Sequence, residues 1–352
     1  MKLSRAIPLI LLMCFPFSVA GAATKKTETV SEGFDTVCEI TGYTPYAGSF
    51  DGSFLKKGDS VAVIAPCTLP SAKQIDAAVK GLRKWGYVPI EGKHLRDPVR
   101  TLEDCLSDLE WALEDPDIKA VFCIRGGYGG TEVMDVLPEN LISASGKLII
   151  GYSDVTAFHS AWTVSGLPSI HASMSAAFTT LPEDCAEAEQ KIIQGEIPIY
   201  RCRSSSFCRK GKAEGILIGG NLSTFAAVLG TAYDSTKLEE PYILFLEDIY
   251  EDMAHIHRLL TILKHQGVLD GAEGILFGEW MEMPAVCDSY NGSSRGGTFQ
   301  SVADMISREF LQDMDIPVVF GFPAGHGPVN YPLLMGEKAR LTVTEESYTL
   351  SW

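Results

Sequence analysis

The sequence predicts an α/β protein: an N-terminal open, mainly parallel sheet with helices on both faces, followed by a smaller C-terminal α/β domain. Three observations carry this. From Asp59 onward, short apolar runs recur with helical stretches between them. The runs are continuously apolar rather than alternating, as in strands covered on both faces. The composition, 46% hydrophobic with 33 glycines and 18 prolines in 352 residues, is that of a globular chain long enough for two domains.

The elements follow in order. Val61-Ala-Val-Ile-Ala65 reads as a buried strand ended by Pro66. Ser71 to Trp85 has helical spacing, with Ile75, Ala78, Val79 and Leu82 on one face, and stops at Gly86. Tyr87-Val-Pro-Ile is a short strand, and Leu102 to Leu113 is an amphipathic helix stopped near Pro116. Ala120-Val-Phe-Cys-Ile124 is the next strand, followed at once by Arg125-Gly-Gly-Tyr-Gly-Gly130. Leu148-Ile-Ile150 is another, ended by Gly151 and followed by a helical stretch. The later region has strands at Tyr242 to Leu246, Gly274 to Phe277, Val318 to Gly321 and Ala339 to Thr344, and a long helix from Met253 to Gln266. Residues 281–298 are Gly/Ser/Asn-rich and read as a surface loop. The expected organisation is a signal peptide at 1–22, a polar segment at 23–55 that reads as an extension or a poorly ordered arm, a nucleophile-bearing domain at 56–181, a helix and linker at 182–212, and a C-terminal domain at 213–352.

Residues 1–22 have a basic start (Lys2, Arg5), an apolar core too short to span a bilayer, and small residues at Ala20-Gly-Ala22. The expectation is an exported protein, periplasmic or secreted, without stable membrane insertion. The formal charge is −16, and the leader carries no acid, so its removal leaves a more acidic protein. Such a chain is a poor partner for nucleic acid or anionic membrane. Small molecules or peptides fit better. Eight of the nine cysteines lie beyond the leader. Cys202 and Cys208, close and polar-flanked, are the candidates for a local bridge, whereas Cys123 sits in an apolar strand. No spacing resembles a metal-ligand set, so neither a metal nor another cofactor is expected.

In a parallel sheet the ligand belongs at the carboxyl ends of the strands, and there the unusual residues cluster. In Lys147-Leu-Ile-Ile-Gly-Tyr-Ser-Asp-Val-Thr-Ala-Phe-His159 an apolar strand turns sharply into a helix at Ser153. That turn lifts the hydroxyl out of the sheet and aims the first free helical N–H groups at whatever it attacks. The plainer alternative is a Ser-Asp N-cap. Arg125-Gly-Gly-Tyr-Gly-Gly130 lacks the spacing of a dinucleotide fingerprint. It reads either as a flexible loop or as glycine N–H groups aimed at an oxyanion, with Arg125 holding a carboxylate and Tyr128 beside it on the substrate. Tyr242-Ile-Leu-Phe-Leu-Glu-Asp248 closes a strand with two acids, which are either helix caps or the orienting carboxylate of a histidine. Pro323-Ala-Gly-His-Gly-Pro328 presents His326 on a defined loop. A hydroxyl needs a base to become a nucleophile, and the base needs a third group to fix its tautomer. Ser153, His326 and Glu247 can fill those roles.

Ala65-Pro66, Arg125-Gly-Gly-Tyr-Gly129, Gly151-Tyr-Ser-Asp-Val-Thr156, Gly219-Gly-Asn-Leu-Ser223, Leu246-Glu-Asp248 and Ala324-Gly-His326 together resemble the LD-carboxypeptidase family of serine peptidases, which includes the microcin immunity peptidases. The resemblance runs from about residue 56 to the end. It implies a Ser153-Glu247-His326 triad, an oxyanion hole from the N–H groups of Asp154 and Gly127, and two domains with the site between them. It also implies a homodimer, metal independence, and release of terminal D-alanine from a murein tetrapeptide. Cys67, where relatives usually have serine, and His171-Ala-Ser173, where many have His-Gly-Pro, depart from the family near the expected pocket and bear on specificity. Three other readings compete. One is a microcin-immunity type hydrolase of aminoacyl-nucleotide amides, with Trp162 or Trp280 as the platform for the base. Another is a murein-peptide binding protein without turnover. The third is a cysteine hydrolase using Cys67.

Overall fold

The computed structural model describes residues 29–32, 37–50, 52–138, 140–284 and 301–352. The expected signal peptide lies outside them, as do parts of the expected extension and most of the loop expected at 281–298.

Two short strands come first, β1 (Thr29–Glu32) and β2 (Cys38–Pro45). The first sheet then begins with β3 (Ser60–Ile64), in which Val61 to Ile64 are fully buried. Burying one such aliphatic side chain contributes about 2 kcal/mol, so the apolar runs decide where the strands lie. In α1 (Ala72–Trp85), Ser71 and Gln74 close a capping box, Ile75, Ala78, Val79 and Leu82 form the buried face, and left-handed Gly86 ends the helix. Next come β4 (Val88–Glu91), α2 (Leu102–Glu114), β5 (Ile118–Cys123), α3 (Gly130–Val136), α4 (Leu141–Ser145) and β6 (Leu148–Gly151). The buried Lys147 ammonium donates to the carbonyls of Ala112, Leu113 and Asp115 at 2.7–2.8 Å, where the end of α2 leaves carbonyls open. A 3₁₀ turn, Ser153–Val155, leads into α5 (Thr156–Val164), and β7 (Ser169–His171) follows. Strands β4, β3, β5, β6 and β7 lie side by side and parallel.

The second sheet is built from the remainder. In chain order come α6 (Glu183–Ile192), β8 (Glu196–Arg203), β9 (Gly211–Asn221), α7 (Leu222–Val228), β10 (Tyr242–Ile249) and α8 (Met253–His265). Then follow β11 (Ala272–Pro284), α9 (Val302–Glu309), β12 (Val318–Phe320), β13 (Leu333–Met335), β14 (Lys338–Val343) and β15 (Ser347–Ser351). Strands β9, β10, β11 and β12 are parallel neighbours. The sheet continues from β9 through β14, β15, β8 and β2, all antiparallel, and β1 runs antiparallel along the far end of β11. Strand β13 leaves this region and pairs antiparallel with β7, so the C-terminal segment closes the edge of the first sheet.

Three expectations change. The polar segment before residue 55 is not a poorly ordered arm throughout, because β2 pairs along β8 at the sheet edge. The segment 182–212 contains the expected helix, but β8 occupies what reads as a linker. Its buried Ile197, Tyr200 and Cys202 are interleaved with exposed Arg201 and Arg203. Cys202 is bonded to Cys38 rather than to Cys208, because the antiparallel register places Cys38 directly opposite it. Cys208 carries a free thiol.

Candidate active site

Four strand ends meet in one cleft of about 650 Å³, which Arg125, Gly127, Ser153, Asn221, Asp248 and His326 help to line. Strand β6 delivers the serine. Ser153 has φ 65°, a left-handed conformation that side-chain-bearing residues adopt at a cost. The strain is that of a strand forced straight into a helix, and it presents the hydroxyl at the tip of the turn. The neighbouring strand end leaves room for it: a Cβ on Gly126 would stand 2.8 Å from that of Ser153. Asp154 ties the two ends together, its Oδ2 accepting from Gly130 N–H at 2.7 Å.

The glycine loop after β5 is braced by Thr68, which sequence reasoning missed. Its hydroxyl accepts from Tyr128 N–H at 3.0 Å and its N–H donates to Gly126 O at 3.1 Å. Gly127 has φ +106°, and a Cβ there would meet the Thr68 hydroxyl at 2.3 Å, so no other residue fits. Arg125 and Tyr128 are exposed along the same cleft, and the Tyr128 hydroxyl donates to Glu132 Oε1 at 3.1 Å. Among the described residues Arg125 has no ion-pair partner.

The second sheet supplies the acid and the histidine. Glu247 is fully buried at the end of β10, and its Oε2 lies 2.7 Å from His326 Nδ1. His326 Nε2 lies 3.0 Å from Ser153 Oγ. An ionised Glu247 accepts from Nδ1–H, which leaves Nε2 to accept from the serine hydroxyl. The histidine loop is anchored by Asn330, another residue missed from the sequence. Its Oδ1 accepts from Gly325 N–H at 3.0 Å, and its Nδ2 donates to Ser173 Oγ at 2.9 Å. The departure at Ser173 is therefore buried and supports the histidine loop. The Tyr152 ring lies tilted against the imidazole, with centroids 4.8 Å apart, and burial pushes its hydroxyl up to about 12.

The neighbouring acid is differently engaged. Asp248 accepts from Asn221 Nδ2 (2.7 Å) and Ile249 N–H (2.8 Å) on Oδ1, and from Ser223 N–H (2.9 Å) and Oγ (2.6 Å) on Oδ2. Burial, reinforced by the Glu247 charge, pushes its carboxyl up to about 6. It holds β9 and α7 in place. Gly219-Gly-Asn-Leu-Ser223, noticed only as a motif, is the partner of this acid. Tyr250, at the cleft rim, is with Ser153 one of two non-glycine residues of positive φ among those described.

Several competing candidates are removed by burial. Trp162 and Trp280 are fully buried and cannot serve as platforms for a base. Cys67 is buried beside Asp154, and burial followed by that carboxylate pushes its thiol well up, away from the thiolate a cysteine nucleophile needs. Among the described residues, no group of three or more His, Cys, Asp or Glu is arranged to hold a metal ion. None of their helices is long and apolar enough to cross a membrane.

The LD-carboxypeptidase N-terminal domain model matches residues 61–172, and the LD-carboxypeptidase C-terminal domain model matches residues 214–341. The "Probable murein peptide carboxypeptidase" of Bacillus subtilis is 31% identical, over 83% of this chain and 92% of its own. The microcin C7 self-immunity protein MccF of Escherichia coli is 25% identical, over 84% of this chain and 94% of its own. Among solved structures, muramoyltetrapeptide carboxypeptidase from Oxalobacter formigenes is similar with a TM-score of 0.72 at 26% identity, covering 83% of this chain and 97% of that one.

Proposed function

The chain belongs to the LD-carboxypeptidase family of serine carboxypeptidases, and from that premise we propose that it releases the terminal D-alanine of murein tetrapeptides by cleaving the bond that follows an L-centre diamino acid. The observation that carries this reading is the continuous path from Ser153 Oγ through the His326 ring to Glu247 Oε2, opening onto a peptide-sized cleft. Ser153 attacks the carbonyl as His326 Nε2 takes its proton. The imidazolium, stabilised by Glu247, then protonates the leaving D-alanine amine. The N–H groups of Asp154 and Gly127 are the proposed oxyanion donors, and loss of one such donor typically raises the barrier by about 3 kcal/mol. The leader motivates an exported enzyme, and the family a homodimer. A peptide-binding protein without turnover would have no use for a serine held in a strained turn within reach of a base.

Hydrolysis of aminoacyl-nucleotide amides is the second reading, motivated by the MccF relative. A panel containing a tetrapeptide ending in D-alanine, its L-alanine diastereomer and an aminoacyl-nucleotide amide separates the two. Turnover confined to the first substrate supports the proposal, and turnover confined to the last replaces it.

A carboxypeptidase must also recognise a free carboxylate. Arg125 is exposed beside the glycine loop, where a bidentate contact can form. Arg125→Ala is expected to raise KM for the tetrapeptide strongly with little change in melting temperature. Wild type should discriminate against a C-terminally amidated peptide and the variant should not. Equal discrimination by both proteins would remove Arg125 from the recognition site.

The pH response follows from the base. As pH falls, protonation of His326 removes the acceptor for the serine proton, so kcat/KM should fall on the acid side. Excess chelator should leave turnover unchanged, because each step uses protein groups. Loss with chelator and recovery with added metal would mean metal-assisted hydrolysis.

A further inference from the structure

His326 is flanked by two glycines, and each lies against a buried carboxyl. A Cβ on Gly325 would stand 2.6 Å from Glu247 Oε2, and a Cβ on Gly327 would stand 1.4 Å from Glu279 Oε2. Glu279 is on β11, beside the strand that carries Glu247. Its main chain meets the same loop, with its N–H donating to Ala324 O at 3.4 Å. The residue is 9% exposed, and Oε2 is buried with no hydrogen-bond partner among the described residues.

A buried carboxyl oxygen without a partner is costly and calls for a reason. Two titratable groups bear on it: Glu247 on the neighbouring β10, and His326 on the loop whose Gly327 packs against it. Burial first, and the Glu247 charge second, push the Glu279 carboxyl up to about 7. The group therefore changes charge in the neutral range, against the loop that carries the base.

We propose that Glu279 is a positioning residue that holds the His326 loop at Gly327, as Glu247 holds it at Gly325, and that its negative charge raises the affinity of the imidazole for a proton. A nearby anion favours the imidazolium over the neutral ring. The imidazolium is the form that develops as Ser153 attacks, so ionised Glu279 adds to the stabilisation supplied by Glu247. This rests on the triad reading given above but not on the identity of the peptide.

Glu279→Gln keeps the size and removes the charge. The His326 titration is followed by NMR of the imidazole nitrogens in the full chain, with the signal assigned from its loss in His326→Gln. Its midpoint in Glu279→Gln is expected to fall by about one pH unit, and the curve to narrow, since two groups no longer titrate as a coupled pair. The acid limb of kcat/KM on the tetrapeptide should move to lower pH with it. Coincident midpoints in the two proteins would overturn the electrostatic role. Gly327→Ala should lose most activity, and adding Glu279→Ala should recover part of it by making room; no recovery would overturn the packing role. The NMR measurement needs no substrate. A shifted midpoint in a protein that fails to cleave the tetrapeptide would leave Glu279 in its role and sink only the assigned substrate.

Discussion

Ser153→Ala is expected to abolish hydrolysis while leaving the fold and peptide binding nearly intact. Serine and alanine bear the same strain at φ 65°, so the substitution adds no backbone cost. The hydroxyl lost is a partly exposed one whose hydrogen-bond partner is His326, and losing it costs little folding energy. The chemistry loses its nucleophile outright. Removing the serine of a comparable triad lowers kcat by about a million-fold, leaving only what binding and the oxyanion donors supply. Turnover, calorimetric binding of the tetrapeptide and the thermal midpoint measured on one preparation test all three statements. Retention of more than about a tenth of wild-type turnover, against that expectation, would end the assignment of Ser153.

Glu247→Gln should be the next most damaging change, lowering kcat by about four orders of magnitude with the fold preserved. The amide can present an N–H where an acceptor is needed, fix the wrong imidazole tautomer, and leave the imidazolium without a counter-charge. Asp248→Asn should be much milder in rate. Asp248 accepts from Asn221, Ile249 and Ser223, and replacing one acceptor by a donor there should cost about 1–3 kcal/mol of stability. The two variants thus separate rate from stability. Kinetics and urea unfolding read both, and a reversed order of the rate losses would move the triad acid to Asp248.

What the sequence made legible has a physical pattern. Strands buried on both faces, such as Val61 to Ile64 and Tyr242 to Leu246, declare themselves as apolar runs. The reactive strand ends declare themselves because glycine, proline and histidine there serve geometry rather than packing. The strands toward the far end of the second sheet do not. Strand β8 is half polar because one face is wet, so it reads as a linker, and β2 is a strand only because β8 lies beside it. The Cys38–Cys202 bond closes across 164 positions and follows from that pairing. Strand β13 is three residues long and belongs to the first sheet, which nothing local announces. The same holds within the site. Ser153, Glu247 and His326 are each marked by their neighbours. Thr68, Asn330 and Glu279 acquire meaning only when the loops they support are folded against them.

The most direct measurement is mass spectrometry of the products after incubation of wild type and Ser153→Ala with a defined, uncrosslinked muramoyl tetrapeptide. Release of free D-alanine and the matching tripeptide by wild type alone is the predicted result. An intact tetrapeptide, cleavage at another bond, or equal cleavage by both proteins would contradict it.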